Sequence, residues 1–133
     1  MQTIKLIEIS KSFKSKKALN NVNIEFKNNR INGLLGPNGS GKTTLFNIIA
    51  GFLSPDLGKI QLDENVLNEK SLSLRTKLGI SYLPQEASIF RDLSVYDNIF
   101  SIAELFYDKN NSIKVTENLI CLLYTSDAAD DRG

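Results

Sequence analysis

Apolar and polar residues alternate in two stretches near the start of the chain. Residues 3–10 carry isoleucine or leucine at nearly every second position, and the alternation slips once, where two apolar residues are adjacent. Residues 22–27 alternate without interruption. A period of two predicts strands that bury one face. The asparagine pair at 28–29 predicts a turn after the second strand, because asparagine tolerates the left-handed backbone region.

A buried strand followed by a helix is predicted next. Residues 31–36 are mostly apolar and end in glycine, as a buried strand leading into a tight loop does. Residues 42–50 repeat apolar positions every three or four residues, and Gly51 follows as a left-handed cap. The same signals predict strands at 59–63 and 80–83 and a short helix at 71–78.

The last third of the chain favours helices. Ser94 is a predicted N-cap, and Asp97 follows at the spacing of a reciprocal capping pair. Residues 95–107 carry an apolar stripe at helical spacing, for which we predict core packing. Residues 109–111 are predicted to break this helix, and 112–123 to form another.

Composition narrows the class of protein. The chain has 133 residues and a formal net charge of +1, which gives no field that would select nucleic acid. The lysine-rich residues 11–17 are interpreted as a solvated face. Cys121 is the only cysteine, so no internal disulfide forms and a reducing cytoplasm is expected. The apolar residues 46–53 are too few to span a bilayer, so any membrane role is expected to come through a partner.

One motif carries specific chemistry, the phosphate-loop pattern of glycine, four residues and Gly-Lys-Thr. Its glycines allow successive N–H groups to point at phosphates, and the following helix adds its positive end. Lys42 is expected to reach the terminal phosphates, Thr43 to ligate Mg²⁺ and Thr44 to donate to an inner phosphate. The pattern predicts ATP or GTP binding without choosing among GTPases, kinases, helicases and transporters. The motif comprises Gly36, Pro37, Asn38, Gly39, Ser40, Gly41, Lys42 and Thr43.

Three features resemble the ATPases of ABC transporters in particular. Residues 34–45 are similar to their Walker A region, and residues 82–85, Tyr-Leu-Pro-Gln, resemble their Q-loop. Phe13 stands where the family has an aromatic residue stacked on adenine. The resemblance therefore implies that Phe13 stacks on adenine and that Gln85 approaches Mg²⁺ and the attacking water. The alternatives are a core position for Phe13 and a turn position for Gln85.

Within this family, residues 85–98 are similar to the ATPases of lipopolysaccharide export. The resemblance implies that Ile89, Phe90 and Arg91 contact a membrane-spanning subunit, with core packing as the alternative for the two apolar residues. It also implies a homodimer on the cytoplasmic, inner face of the cell membrane, driven by ATP. The alternatives are an importer ATPase of the branched-chain amino-acid type and a soluble, non-transport ABC ATPase.

Several family features are missing from the sequence. No Leu-Ser-Gly-Gly signature, no strand ending in an Asp-Glu pair (Walker B) and no histidine is present. The resemblance implies an α/β fold, a P-loop NTPase (RecA-like) core with an antiparallel β subdomain, and the missing features indicate that it is truncated before its central sheet is complete. Residues 1–120 are interpreted as a partial N-terminal nucleotide-binding domain and 121–133 as a non-native tail. We expect ATPase activity only at full length, and weak nucleotide binding by the fragment.

Overall fold

The computed structural model describes residues 2–86 and 88–130, with side chains through Tyr124. These residues form two units, one ending at Tyr82 and the other beginning at Leu83. The elements in chain order are β1 (Thr3–Phe13), β2 (Lys16–Lys27), α1 (Lys42–Ala50), β3 (Leu57–Leu62), β4 (Asn65–Val66), α2 (Leu72–Lys77), α3 (Val95–Ala103) and α4 (Lys109–Asp130). Within the described ranges, every helix is too short or too polar to cross a bilayer.

The first unit is an antiparallel sheet with a helix packed on it. Its strand order is β2-β1-β3-β4, and each neighbouring pair is antiparallel. The predicted strands at 3–10, 22–27 and 59–63 and the predicted helix at 42–50 are confirmed. Each buried aliphatic side chain stabilises the unit by about 1.5–3 kcal/mol. The core consists of Leu6, Ile9, Leu19, Leu45, Ile48, Ile49, Ile60, Leu62 and Leu67.

A β-bulge explains the slip in the alternation of β1. The register of β1 shifts between Leu6 and Ile9 against β2, and Glu8 within this interval has a φ of 53°. The Glu8 N–H donates to Oδ1 of Asn23 at 2.9 Å, so the bulged backbone keeps a partner. Gly58 on β3 passes so close that a Cβ there would lie 2.5 Å from the Glu8 carbonyl oxygen. The bulge returns Ile9 to the buried face.

The strands predicted at 31–36 and 80–83 are wrong. Neither segment is in a strand, and Ile31 and Leu35 are almost fully exposed. A strand needs neighbours for its N–H and C=O groups, and the described residues place no strand beside either segment. The antiparallel part of the expected α/β fold is therefore present here, and its parallel sheet is not formed by the described residues.

The second unit contains α3 and α4. The predicted cap is confirmed: Oγ of Ser94 accepts from the N–H of Asp97 at 3.0 Å. The helix ends at Ala103, earlier than predicted. The predicted break at residues 109–111 is wrong, because these residues form the first turn of α4. The carboxylate of Asp108 caps this turn by accepting from two of its N–H groups, at 3.0 and 3.2 Å.

Core packing of the apolar stripe at 95–107 is also wrong for most of its residues. The two helices of this unit pack on each other, and the buried residues in its described part are Ala103, Ser112 and Thr116. Two helices bury only one seam, and small residues here allow a close approach. The exposed stripe residues are Val95, Ile102, Leu105 and Phe106.

Candidate functional site

The phosphate loop enters α1 through a left-handed glycine. Gly41 precedes the helix with a φ of 94°, and Gly39 has a φ of 82°. Its N-cap residue, Gly41, supplies no side-chain hydrogen bond to the N-terminus of α1. The first N–H groups of a helix have no acceptor within it, and the helix dipole makes this end positive. The loop therefore offers donors to an anion, as the motif predicts.

The lysine of the motif folds back over the loop. Nζ of Lys42 donates to the carbonyl oxygens of Gly36 and Pro37, the latter at 2.8 Å. It also lies 3.3 Å from Oγ of Ser40. These contacts hold the ammonium group at the centre of the loop. The present hydrogen-bond partners of the Lys42 ammonium group are neutral oxygens. Because a hydrogen bond between two charged groups is stronger, a phosphate that binds here would replace them.

A cavity of about 430 Å³ lies over the loop. Among the described residues, its walls contain no carboxylate and two ammonium groups, those of Lys42 and Lys16. Polyphosphate carries several negative charges, so this lining suits it. The lining residues are Phe13, Lys16, Ala18, Asn38, Gly39, Gly41, Lys42, Thr43 and Thr44.

The structure brings together all of the predicted nucleotide-contacting residues. Seven of them line the cavity. The other three, Gly36, Pro37 and Ser40, accept hydrogen bonds from Nζ of Lys42. Sequence reasoning missed Lys16, which it assigned to a solvated face. The pairing of the strands places it here: Lys16 pairs with Phe13 across the hairpin, so both residues lie at one end of the sheet.

Phe13 lies at the end of β1 and is 47% exposed, which rules out the core position. Nζ of Lys11 lies 5.8 Å from the centroid of its ring. That lysine pairs with Oδ1 of Asp56 at 2.7 Å, and the N–H of Ser12 donates to Oδ2 at 2.8 Å. The hydrogen bond from Lys11, followed by that from Ser12, lowers the pKa of Asp56 below its ordinary value. The strand end that carries Phe13 is thereby fixed.

The first unit has another cavity of similar size, about 450 Å³. It is lined largely by apolar side chains, including Phe26, Leu34 and Phe46. Its one lysine, Lys27, already lies 3.5 Å from a carboxylate oxygen of Glu25. This cavity lacks the free cationic donors that phosphate needs, so we assign the phosphate site to the loop.

The remaining predicted residues lie in the second unit. Gln85 is exposed, and its role beside Mg²⁺ and the attacking water stays a prediction. Ile89, Phe90 and Arg91 are exposed as well, which excludes core packing for the two apolar residues. In the described part of the chain, no group of three His, Cys, Asp or Glu residues gathers to hold a metal. At the loop, Thr43 offers a hydroxyl ligand for Mg²⁺, and phosphate oxygens would supply further ligands.

The side chain of Asn98 holds the exposed segment around Phe90 by hydrogen bonds. Oδ1 of Asn98 accepts from the Phe90 N–H at 2.8 Å, and its Nδ2 donates to the Phe90 carbonyl at 2.9 Å. The same Nδ2 reaches the carbonyl oxygens of Leu93 at 3.2 Å and Ser94 at 3.0 Å. The segment therefore presents apolar side chains to solvent on a fixed backbone.

Comparison with known proteins identifies the family. The lipopolysaccharide export system ATP-binding protein LptB of Haemophilus influenzae is 45% identical over 100 residues, covering 75% of this chain and 42% of that protein. The protein of the same name from Escherichia coli is 41% identical over 105 residues, covering 79% and 44%. The chain thus spans less than half the length of these relatives.

Solved structures agree with this result. A dimeric ATP-binding cassette in a post-hydrolysis state, bound to ADP and phosphate, matches with a TM-score of 0.72 at 25% identity, over 86% of this chain and 54% of that one. A nucleotide-free cassette from an ABC transporter matches with a TM-score of 0.69 at 28% identity, over 86% and 46%. A family model described as ABC transporter matches residues 19–132. The chain therefore belongs to the ABC transporter family.

Proposed function

We propose that this chain binds ATP with Mg²⁺ at residues 36–43 and belongs to a subunit that powers lipopolysaccharide export. The observation that carries the nucleotide site is the uncapped N-terminus of α1, faced by a loop whose lysine is bound only to neutral oxygens. The export role rests on the relatives, whose names state it.

Each residue of the site has a physical role in this proposal. Lys42 exchanges loop carbonyls for phosphate oxygens, because charge-assisted hydrogen bonds are the stronger ones. Thr43 supplies a hydroxyl ligand, and Mg²⁺ neutralises the charge that develops on the phosphates. Lys16 adds a second ammonium group to the lining of the cavity. Phe13 offers a ring face to the base, supported by the Lys11–Asp56 pair.

The proposed partner rests on an exposed segment of the second unit. Ile89 and Phe90 are exposed apolar residues beside a cationic Arg91, on a backbone held by Asn98. Such a combination suits a protein interface, where apolar and arginine contacts supply much of the binding energy. We propose that this segment contacts a membrane-spanning transporter subunit. The complete subunit would act as a homodimer, peripheral on the cytoplasmic face of the membrane.

Turnover belongs to the complete subunit in this proposal, since the chain spans less than half of its curated relatives. There Gln85 would orient the attacking water and respond to the terminal phosphate. The described residues alone would supply the phosphate cradle.

Replacing Lys42 tests the nucleotide site. In the complete subunit we expect Lys42→Ala to lower ATP turnover by at least about a hundredfold, since it removes a cation from the developing phosphate charge. The circular dichroism spectrum is expected to stay unchanged. Lys59→Ala, a change at an exposed lysine of β3, is the matched control. Turnover by Lys42→Ala equal to that of the control would contradict the assignment.

Replacing Phe90 tests the partner. We expect Phe90→Asp to prevent co-purification with co-expressed membrane subunits of a lipopolysaccharide exporter while leaving ATP binding intact. Val66→Asp is the control, because Val66 is an exposed apolar residue of the first unit. Capture by importer membrane subunits instead would indicate the importer class. Stable ATP turnover with no membrane partner would indicate a soluble ABC ATPase.

A further inference from the structure

Arg75 on α2 has a guanidinium group that is almost wholly removed from solvent, with the residue 2% exposed. Within the described residues it pairs with no carboxylate and donates only to backbone carbonyls. Nε donates to Lys70 O at 2.9 Å and Nη2 to Leu67 O at 2.7 Å. Nη1 donates to Ile48 O at 2.6 Å and to Ile49 O at 2.9 Å.

The last two acceptors lie in the final turn of α1. The three backbone N–H groups of residues 51–53 all donate to the carbonyl of Asn47, at 2.9 to 3.2 Å. The carbonyl oxygens of Ile48 and Ile49 instead accept hydrogen bonds from the guanidinium group of Arg75. Arg75 therefore completes the C-terminus of α1, a task that a following backbone turn usually performs.

A cation at this position is favourable for a second reason. The C-terminus of a helix carries partial negative charge, which a guanidinium offsets. Burial lowers the pKa of Arg75, but arginine keeps its proton in proteins even so. Its planar fork matches several carbonyls at once, which lysine cannot reproduce. The guanidinium group packs close to the backbone of Gly51. A Cβ at this position would lie 3.0 Å from Nε of Arg75, so glycine makes the approach possible.

We propose that Arg75 is a positioning residue of the nucleotide site, fixing the C-terminus of α1 so that its N-terminus presents Lys42 and Thr43 to the phosphates. This inference rests on the proposed function. The nine residues of α1 make it about 13 Å long. A tilt of about 10° around its centre moves the first turn by about 1 Å, enough to cost on the order of a hundredfold at a well-built site.

The test separates orientation from stability. Arg75→Met keeps the apolar stem and removes every donor. Arg30→Met removes a guanidinium from an exposed position and is the control. Binding of trinitrophenyl-ATP and trinitrophenyl-adenosine to the complete subunit is measured by fluorescence, below the unfolding temperature of each variant. We expect Arg75→Met to weaken trinitrophenyl-ATP binding at least about tenfold and to leave trinitrophenyl-adenosine binding unchanged.

Equal weakening of both ligands, or of neither, would overturn the inference. If Arg75→Met does not fold, Arg75→Lys carries the test: it retains the charge but not the fork, and we expect a smaller loss confined to trinitrophenyl-ATP. Lys42→Ala is measured in parallel. If Lys42→Ala binds trinitrophenyl-ATP as tightly as wild type, the nucleotide site itself is refuted. If Lys42→Ala loses binding while the Arg75 variants bind like wild type, only the positioning role is refuted.

Discussion

Replacement of Gly41 by alanine probes how the phosphate loop is built. A Cβ at this position would lie 2.5 Å from the carbonyl oxygen of Ala18 and 2.9 Å from Cδ2 of Leu19. The first of these atoms belongs to the backbone of β2, so no side-chain rotation relieves the contact. The left-handed φ of 94° adds strain for any residue with a Cβ. Alanine therefore has to displace either the loop or the strand.

Two neighbouring glycines separate these effects. Gly39 has a φ of 82° but an open surrounding, with only Nζ of Lys16 at 3.8 Å from a built Cβ. Gly33 has nothing within 4 Å and no left-handed φ. We expect Gly33→Ala to stabilise the first unit by up to about 1 kcal/mol, because alanine lowers the conformational entropy of the unfolded chain. Gly39→Ala costs about 1–2 kcal/mol from its backbone conformation. Gly41→Ala adds a clash of about 1–3 kcal/mol, roughly 2–5 kcal/mol in all.

Amide hydrogen exchange within β1 and β3 measures these differences, because slowly exchanging core amides report the opening free energy of their own unit. Each 1.4 kcal/mol is about a tenfold change in rate. We expect exchange at Ile9 and Ile60 to accelerate at least about thirtyfold in Gly41→Ala and about five- to thirtyfold in Gly39→Ala. Gly33→Ala is expected to exchange no faster than wild type. Equal rates in Gly41→Ala and Gly33→Ala would refute the close packing of loop and strand.

Three further predictions concern side chains around the two sites. The pKa of Asp56 is lowered in the folded chain, so its stabilisation is complete above the ordinary value of 3.8 and disappears as pH falls through the folded value. In urea denaturation, Asp56→Asn is therefore expected to be less stable than wild type near neutral pH, with the difference vanishing in acid; a constant difference would contradict this. Asn98→Ala removes contacts worth about 0.5–1.5 kcal/mol each and is expected to accelerate amide exchange at Phe90. Unchanged exchange there would show that other contacts hold the segment. Lys16→Met is expected to weaken ATP binding about fivefold, while Lys17→Met leaves it unchanged, as fluorescence titration would show; identical affinities would remove Lys16 from the site.

The sequence predicted those features that depend on nearby residues. The phosphate loop, the helix behind it and its Gly51 cap all depend on residues close together in the chain, and Gly51 has the expected left-handed φ of 98°. The Ser94 cap is of the same kind. Glycine conformations and capping hydrogen bonds are settled within one turn of chain, so the pattern indicated them correctly here, although the equally local cap of α4 by Asp108 was missed.

Features that depend on distant partners were not predictable. The segment 31–36 has the composition of a buried strand, yet no described strand pairs with it and Leu35 is exposed. The burial of Arg75 was invisible for the same reason, because its acceptors lie on α1 and on the segment before α2. Lys16 resembled its lysine neighbours in sequence, and only the pairing of β1 with β2 places it beside the loop. Tertiary contacts override composition in each case.

The most direct test of the central claim is a titration of the ¹⁵N-labelled complete subunit with Mg²⁺ and ATP, followed by nuclear magnetic resonance. We predict that the amide resonances of Gly39, Gly41, Lys42 and Thr43 shift together with a single saturation curve, and that Lys42→Ala weakens this response strongly. Saturable ATP binding that leaves these four amides unshifted would contradict the account.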